Sequence, residues 1–188
     1  MQMTGTSATT ESVEIDFPQC EKGLGDIIVA PDQAGLIHGV RIQTFPVFPD
    51  DRGWFLEIAR LGRGLVAEYP DGSTQVSAAL SYPGAIKAFH FHRKQTDCWV
   101  PVAGMLQVAL VDLRPASTTF GRRNTLYVGE LRPWQILIPP GVGHGYKVIG
   151  GAPAVLVYVT DRFYDASDEG RIAYNDDRIG YDWEIQRK

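Results

Sequence analysis

From Val40 onward the chain alternates apolar and polar residues in short runs. Val40-Arg41-Ile42-Gln43-Thr44-Phe45 has the period of two that puts successive side chains on opposite faces of a strand. Asp50-Asp51-Arg52-Gly53 reads as a turn, and Trp54-Phe55-Leu56-Glu57-Ile58 as the next strand. Residues 59–69 have the pattern of one short helix, which Gly62 and Gly64 oppose. After Gly72 the pattern predicts strands over 74–81, 85–92, 98–102, 105–113, 125–128, 135–138, 145–149 and 154–160. The separators carry Pro83-Gly84, Ala103-Gly104, Pro139-Pro140-Gly141 and Gly150-Gly151. No helical pattern lies between these runs to serve as a parallel crossover. The expected fold is therefore an all-β jelly roll with short peripheral helices.

The flanks differ from this core. Residues 1–12 (MQMTGTSATTES) are small and polar and read as a disordered tail. Residues 13–38 mix short apolar pieces such as Ile27-Ile28-Val29 with turn residues and receive no firm element. Residues 161–188 are rich in aspartate with aromatic punctuation, a composition expected of a wrap around the barrel. We read 13–188 as one domain with its barrel over about 40–160.

Composition narrows the function classes. With 44% hydrophobic residues the chain can bury a sizeable core, which excludes wholesale disorder. Its 18 basic and 22 acidic residues lack the basic excess of a nucleic-acid binder. No apolar run is long enough to span a membrane, and the first 15 residues lack a signal-peptide pattern. Two cysteines, Cys20 and Cys98, are too few for a disulfide framework, so a cytoplasmic location is expected. Cys98 reads as a buried thiol, and Trp54, Trp99 and Trp134 as core residues. No phosphate-binding glycine loop is present.

The histidines carry the candidate chemistry. His90 and His92 are two apart on a predicted strand and so share a face. Asp97 opens the next strand, and His144 follows a Pro-Gly turn on a strand expected to face them. Three imidazoles and a carboxylate form a plausible set for Zn, Fe, Mn or Ni. Any one of these histidines alone reads more simply as a hydrogen-bonded structural residue.

The spacing Gly84-x5-His90-x-His92-x4-Asp97-x6-Gly104 resembles the first cupin motif, with Asp97 where Glu is usual. Pro139-x-Gly141-x2-His144 resembles the core of the second, without its usual first glycine and final asparagine. The chain also resembles the dTDP-4-dehydrorhamnose 3,5-epimerase family, itself of the cupin double-stranded β-helix type. The resemblance is carried by Asp51–Glu57, Lys87–His92, Val111-Asp112-Leu113-Arg114 with Thr119-Phe120-Gly121, Ile138–Tyr146, and Asn175–Gly180 with Trp183. It implies an isomerase that removes a proton beside the ketone of a nucleotide-linked 4-keto-6-deoxy sugar and needs no cofactor. By match, His90 is the base and Tyr158 the acid. Arg52, Glu57, Lys87 and His144 fall at substrate-binding positions. Tyr164 is expected at the mouth, contacting nucleotide or packing as a lid. The resemblance also implies a homodimer paired through sheet edges and a role in carbohydrate biosynthesis.

Three departures keep other readings open. Asp97 stands where the family has a lysine that polarises the sugar ketone, and His92 where it has glutamine. The family's carboxylate partner for the base lies in a Ser-x-Lys-Asp segment that residues 161–188 do not match. A metal held by His90, His92, Asp97 and His144 would replace the lost lysine. Alternatively, Asp97 would pair with His90 as the orienting carboxylate. The alternatives to the epimerase are a metal-dependent cupin enzyme with another small substrate and a non-catalytic sugar-binding cupin.

Overall fold

The computed structural model describes residues 11–185. The tail expected over 1–12 lies outside the described residues except for its last two positions. In chain order the strands are β1 (Asp26–Ile28), β2 (Arg41–Thr44), β3 (Val47–Asp50), β4 (Gly53–Leu56), β5 (Gln75–Ser81), β6 (Ile86–His92) and β7 (Asp97–Ala103). They continue as β8 (Met105–Asp112), β9 (Arg123–Gly129), β10 (Trp134–Ile138), β11 (Val142–Ile149), β12 (Ala154–Thr160) and β13 (Glu169–Arg171). Six strands form one sheet in the order β1-β9-β8-β11-β6-β13, and five form another in the order β2-β10-β7-β12-β5. The short ribbon β3-β4 stands apart from both.

Period-two alternation explains three separate apolar layers. Leu106, Val108, Leu110, Leu126, Ile136, Ile138 and Leu156 point between the sheets and form the central core. The alternate residues of β6 and β8, Phe89, Phe91, Ala109 and Val111, point outward. They are covered by Leu24, Ile172, Ile179, Tyr181 and Trp183 from the two flanking segments. On the other sheet, Cys98, Val100, Leu137 and Val159 lie beneath Phe45, Leu65, Val66 and Tyr69. The central strands β7 and β8 are thus covered on both faces, which is why they read as nearly continuous apolar runs. The flanks also complete the larger sheet. β1 pairs parallel to β9 at one edge, and β13 antiparallel to β6 at the other.

Asp112 shows what one of the resemblance motifs does. Its fully buried carboxylate accepts hydrogen bonds from Arg114 Nε (2.8 Å), Ser117 Oγ (2.6 Å) and Thr119 Oγ1 (2.6 Å). The stretch Val111–Gly121 is therefore a turn folded around a buried charge.

Several expectations change. Residues 59–69 form isolated turns and one 3-10 helix of three residues, Gly64–Val66, instead of a continuous helix. Gly62 and Gly64 there hold φ of 77° and 61°, which a right-handed helix does not use. Trp54 is 47% exposed instead of buried, because no second layer covers the β3-β4 ribbon. Trp99 and Trp134 are buried as expected. Cys98 is a buried free thiol, and burial pushes its pKa up to about 12.

Candidate active site

A cavity of about 400 Å³ opens between the two sheets. Lys87, His90 and His92 enter it from β6, His144 and Tyr146 from β11, and Glu169 and Arg171 from β13. The opposite wall is Gln75 and Ala79 of β5, Asp97 and Trp99 of β7, and Leu156, Tyr158 and Thr160 of β12. Gln95 and Tyr164 complete the lining.

The period of two puts both His90 and His92 on the inner face, as the sequence predicts. Strict alternation would send Lys87 outward. A register shift between β11 and β6 pairs Tyr146 with Lys87 and His144 with His90, so both β6 residues face the cavity. His144 was expected on a facing strand. It lies instead on the neighbouring strand of the same sheet, directly opposite His90. Asp97 is the residue that comes from the facing sheet.

The buried interior of the cavity holds one polar cluster. The ligand atoms of His92, Asp97 and His144 lie within 4.8 Å of one another, and each residue is less than a tenth exposed. The His144 Nδ1–H donates to the Val142 carbonyl at 2.9 Å, which leaves Nε2 facing Asp97 Oδ2 at 3.7 Å. Asp97 also accepts from Gln95 Nε2 (2.7 Å) and Trp99 Nε1 (3.2 Å). Gln95 Nε2 donates to His92 Nε2 at 3.2 Å as well, while His92 Nδ1 is buried without a partner. Burial drives the pKa of His144 down to about 4 against the pull of Asp97, so its imidazole is neutral at pH 7.

His90 stands outside this cluster, nearer the mouth, with its side chain 35% exposed. Two expectations are corrected here. Asp97 pairs with His144, not His90, because it descends from the other sheet into the interior. The four-residue metal set reduces to three, because the His90 ring turns toward β13. Its Nδ1 is 3.5 Å from Glu169 Oε1, an oxygen that also accepts from Arg171 Nε at 2.6 Å. Burial lowers the His90 pKa, and Glu169 partly offsets this. Glu169 itself lies below its ordinary range: burial works in the other direction, but the Arg171 bond and the nearby imidazoles outweigh it.

Lys87, His144 and Tyr164 join His90 and Tyr158 around the cavity, and Arg52 and Glu57 do not. Both sit on or beside the detached ribbon and make local pairs. Arg52 Nη2 meets Asp50 Oδ2 at 2.7 Å, and Arg60 Nε meets Glu57 Oε1 at 2.7 Å. Sequence reasoning missed Gln95, Glu169 and Arg171. Gln95 lies between two candidate residues and was within reach. Nothing local marks Glu169, whose place depends on β13 finding the edge of β6.

Residues 35–188 match the sequence profile of dTDP-4-dehydrorhamnose 3,5-epimerase. The spore coat polysaccharide biosynthesis protein SpsL of Bacillus subtilis is 42% identical over 153 residues, 80% of this chain and 99% of that protein. The dTDP-4-dehydrorhamnose 3,5-epimerase of Escherichia coli is 30% identical over 154 residues, 78% of this chain and 81% of that protein. Among solved structures, ChmJ, a 3'-monoepimerase from Streptomyces bikiniensis in complex with dTDP-quinovose, superposes with a TM-score of 0.69. It is 26% identical and the match covers 81% of this chain and 78% of that one. With the profile spanning most of the chain and the jelly roll shared, this protein belongs to the dTDP-4-dehydrorhamnose 3,5-epimerase family of nucleotide-sugar epimerases.

Proposed function

We propose that the chain epimerises a nucleotide-linked 4-keto-6-deoxy sugar, made for a surface polysaccharide or another glycosylated product, with His90 as base and Tyr158 as acid. The observation that carries this reading is their placement on facing sheets across one cavity. A sugar ring between them presents one face to the imidazole and the other to the phenol. With Nδ1 turned to Glu169, the His90 Nε2 is the nitrogen free to take the proton beside the C4 ketone. The C–H electron pair then moves into an enolate with its charge on the C4 oxygen. Return of that pair takes a proton from Tyr158 on the opposite face, which inverts the carbon. The imidazolium releases its proton to solvent, and the phenolate regains one. Lys87, exposed at the rim, supplies positive charge for the diphosphate.

A second reading rests on His92, Asp97 and His144. Their mutual reach fits a divalent ion such as Zn, Fe, Mn or Ni. Such an ion supplies Lewis-acid polarisation of a ketone oxygen. One experiment covers both readings. In D2O, a dTDP-4-keto-6-deoxyhexose is expected to gain deuterium at C3, at C5 or at both. If no such sugar exchanges or binds, the epimerase reading falls. Full exchange by chelated protein with substoichiometric metal removes the second reading. Loss on chelation, restored by one ion, establishes it.

The partner we propose is a second copy of this chain. The β3-β4 ribbon exposes Phe48, Trp54 and Phe55, and the edge strand β5 exposes Val76 and Leu80. Unpaired edges with apolar side chains favour pairing between copies. Arg52 and Glu57 ride on or beside that ribbon, so docking would carry them to the other copy. Light scattering is expected to give twice the 20.8 kDa chain mass, and a monomer at every concentration would refute this. Among the described residues, no helix is long and apolar enough to cross a membrane.

A further inference from the structure

Among the described residues, Glu169 is the carboxylate that comes within ion-pair distance of His90, at 3.5 Å. Its backbone is fixed from both sides. β13 pairs with β6 in the register Glu169–His92 and Arg171–His90. Just before it, the buried Asp168 carboxylate accepts from the backbone N–H groups of Arg93, Lys94 and Gln95 at 3.2, 3.3 and 3.0 Å. Just after it, Gly170 lies so close to the Phe91 ring that a Cβ would collide with it. The strand is held, so only side-chain rotation decides what the Glu169 carboxylate touches.

Two donors compete for one oxygen. Arg171 Nε holds Oε1 at 2.6 Å, whereas the His90 Nδ1 contact of 3.5 Å is longer than a hydrogen bond. Such contacts at catalytic groups are often long without ligand and tighten on binding. Arg171 stands at the cavity rim with its side chain 71% exposed, on the same face as Lys87. A guanidinium there is well shaped for two-pronged contact with a phosphate-class anion. An anion that drew it away would free Oε1 to close on the His90 Nδ1–H.

We propose that Glu169 is the positioning residue of His90, and that Arg171 withholds it until a phosphate-class anion at the rim takes the guanidinium. This deepens the epimerase reading and rests on it for the identity of the anion. Closure fixes the proton on Nδ1 and leaves the Nε2 lone pair for the substrate. Binding of the non-reacting part of the substrate would thereby complete the base.

The test uses ring-nitrogen NMR of histidine-labelled protein, with dTDP as a probe that cannot turn over. Free wild-type protein is expected to show His90 in mixed tautomers, and saturating dTDP should collect it in the Nδ1–H form. Arg171→Gln should show that form without nucleotide, and Arg171→Gln/Glu169→Ala should lose it. In turnover, Glu169→Ala should lower kcat about tenfold or more with KM little changed, Glu169→Asp should recover part of the loss, and Arg171→Gln should chiefly raise KM. Bound dTDP that leaves His90 unchanged, or Glu169→Ala with wild-type kcat, would overturn the proposal. If dTDP does not bind, the nucleotide reading is what fails. The two Arg171 variants then decide the role of Glu169 in free protein, where a tautomer that ignores Glu169 refutes it.

Discussion

His90→Asn is expected to lower kcat by roughly 10²- to 10⁴-fold, the usual contribution of a positioned general base. Its fold should survive, because the side chain lies at the open end of the cavity and is 35% exposed. Tyr158→Phe gives a different pattern that separates the two roles. The base can still remove a proton, exchange it with water at the mouth and return deuterium to the same face. This variant should therefore keep deuterium incorporation into unreacted substrate while losing inverted product. His90→Asn should lose both. If His90→Asn retains wild-type exchange, the base is another group and the assignment is wrong. If Tyr158→Phe still inverts at the wild-type rate, the proton on the second face comes from elsewhere.

The second large effect is on stability, and it comes from the cavity interior. His144 has a folded pKa of about 4 against an ordinary 6.5, because burial disfavours its charged form. The unfolded chain therefore binds this proton more readily than the native one. Stability is fully present above about pH 6.5, declines as pH falls toward 4, and loses nothing further from this group below that. The contribution is on the order of a few kcal/mol over that window, at about 1.4 kcal/mol per pH unit. Asp112 acts in the same direction at lower pH. Burial raises its pKa, but the bonds from Arg114, Ser117 and Thr119 outweigh burial and hold it below 3.8. Its stabilisation is thus present above the ordinary carboxylate range and lost as pH falls through its depressed value. Urea titrations at pH 7 and pH 4.5 should show the His144 loss in wild-type protein. His144→Asn should flatten the difference, and an unchanged pH dependence in that variant would show that another group governs it.

The polar cluster and the His90 pair thus divide one cavity into two chemistries. Deep in the jelly roll, His92, Asp97 and His144 are buried and close together. At the mouth, His90, Glu169, Lys87 and Arg171 line the part of the cavity open to solvent. Proton exchange with water is open to the second environment, whereas burial in the first disfavours the charged imidazole.

The strand pattern by itself determined much of this. Alternation in Ile86–His92 assigned His90 and His92 to one face, since the period of a strand is a property of the local backbone. Glycine and proline between the runs located the turns, for the same local reason. Motif order identified the family and pointed to His90 and Tyr158. Only the tertiary structure decided which groups meet. Asp97 went to His144, Glu169 to His90, and Arg52 and Glu57 away from the cavity. A strand's sequence fixes which side chains share a face, but its neighbour is chosen by pairing across the whole sheet. Asp97 and His144, 47 positions apart, and His90 and Glu169, 79 apart, become adjacent through that choice alone.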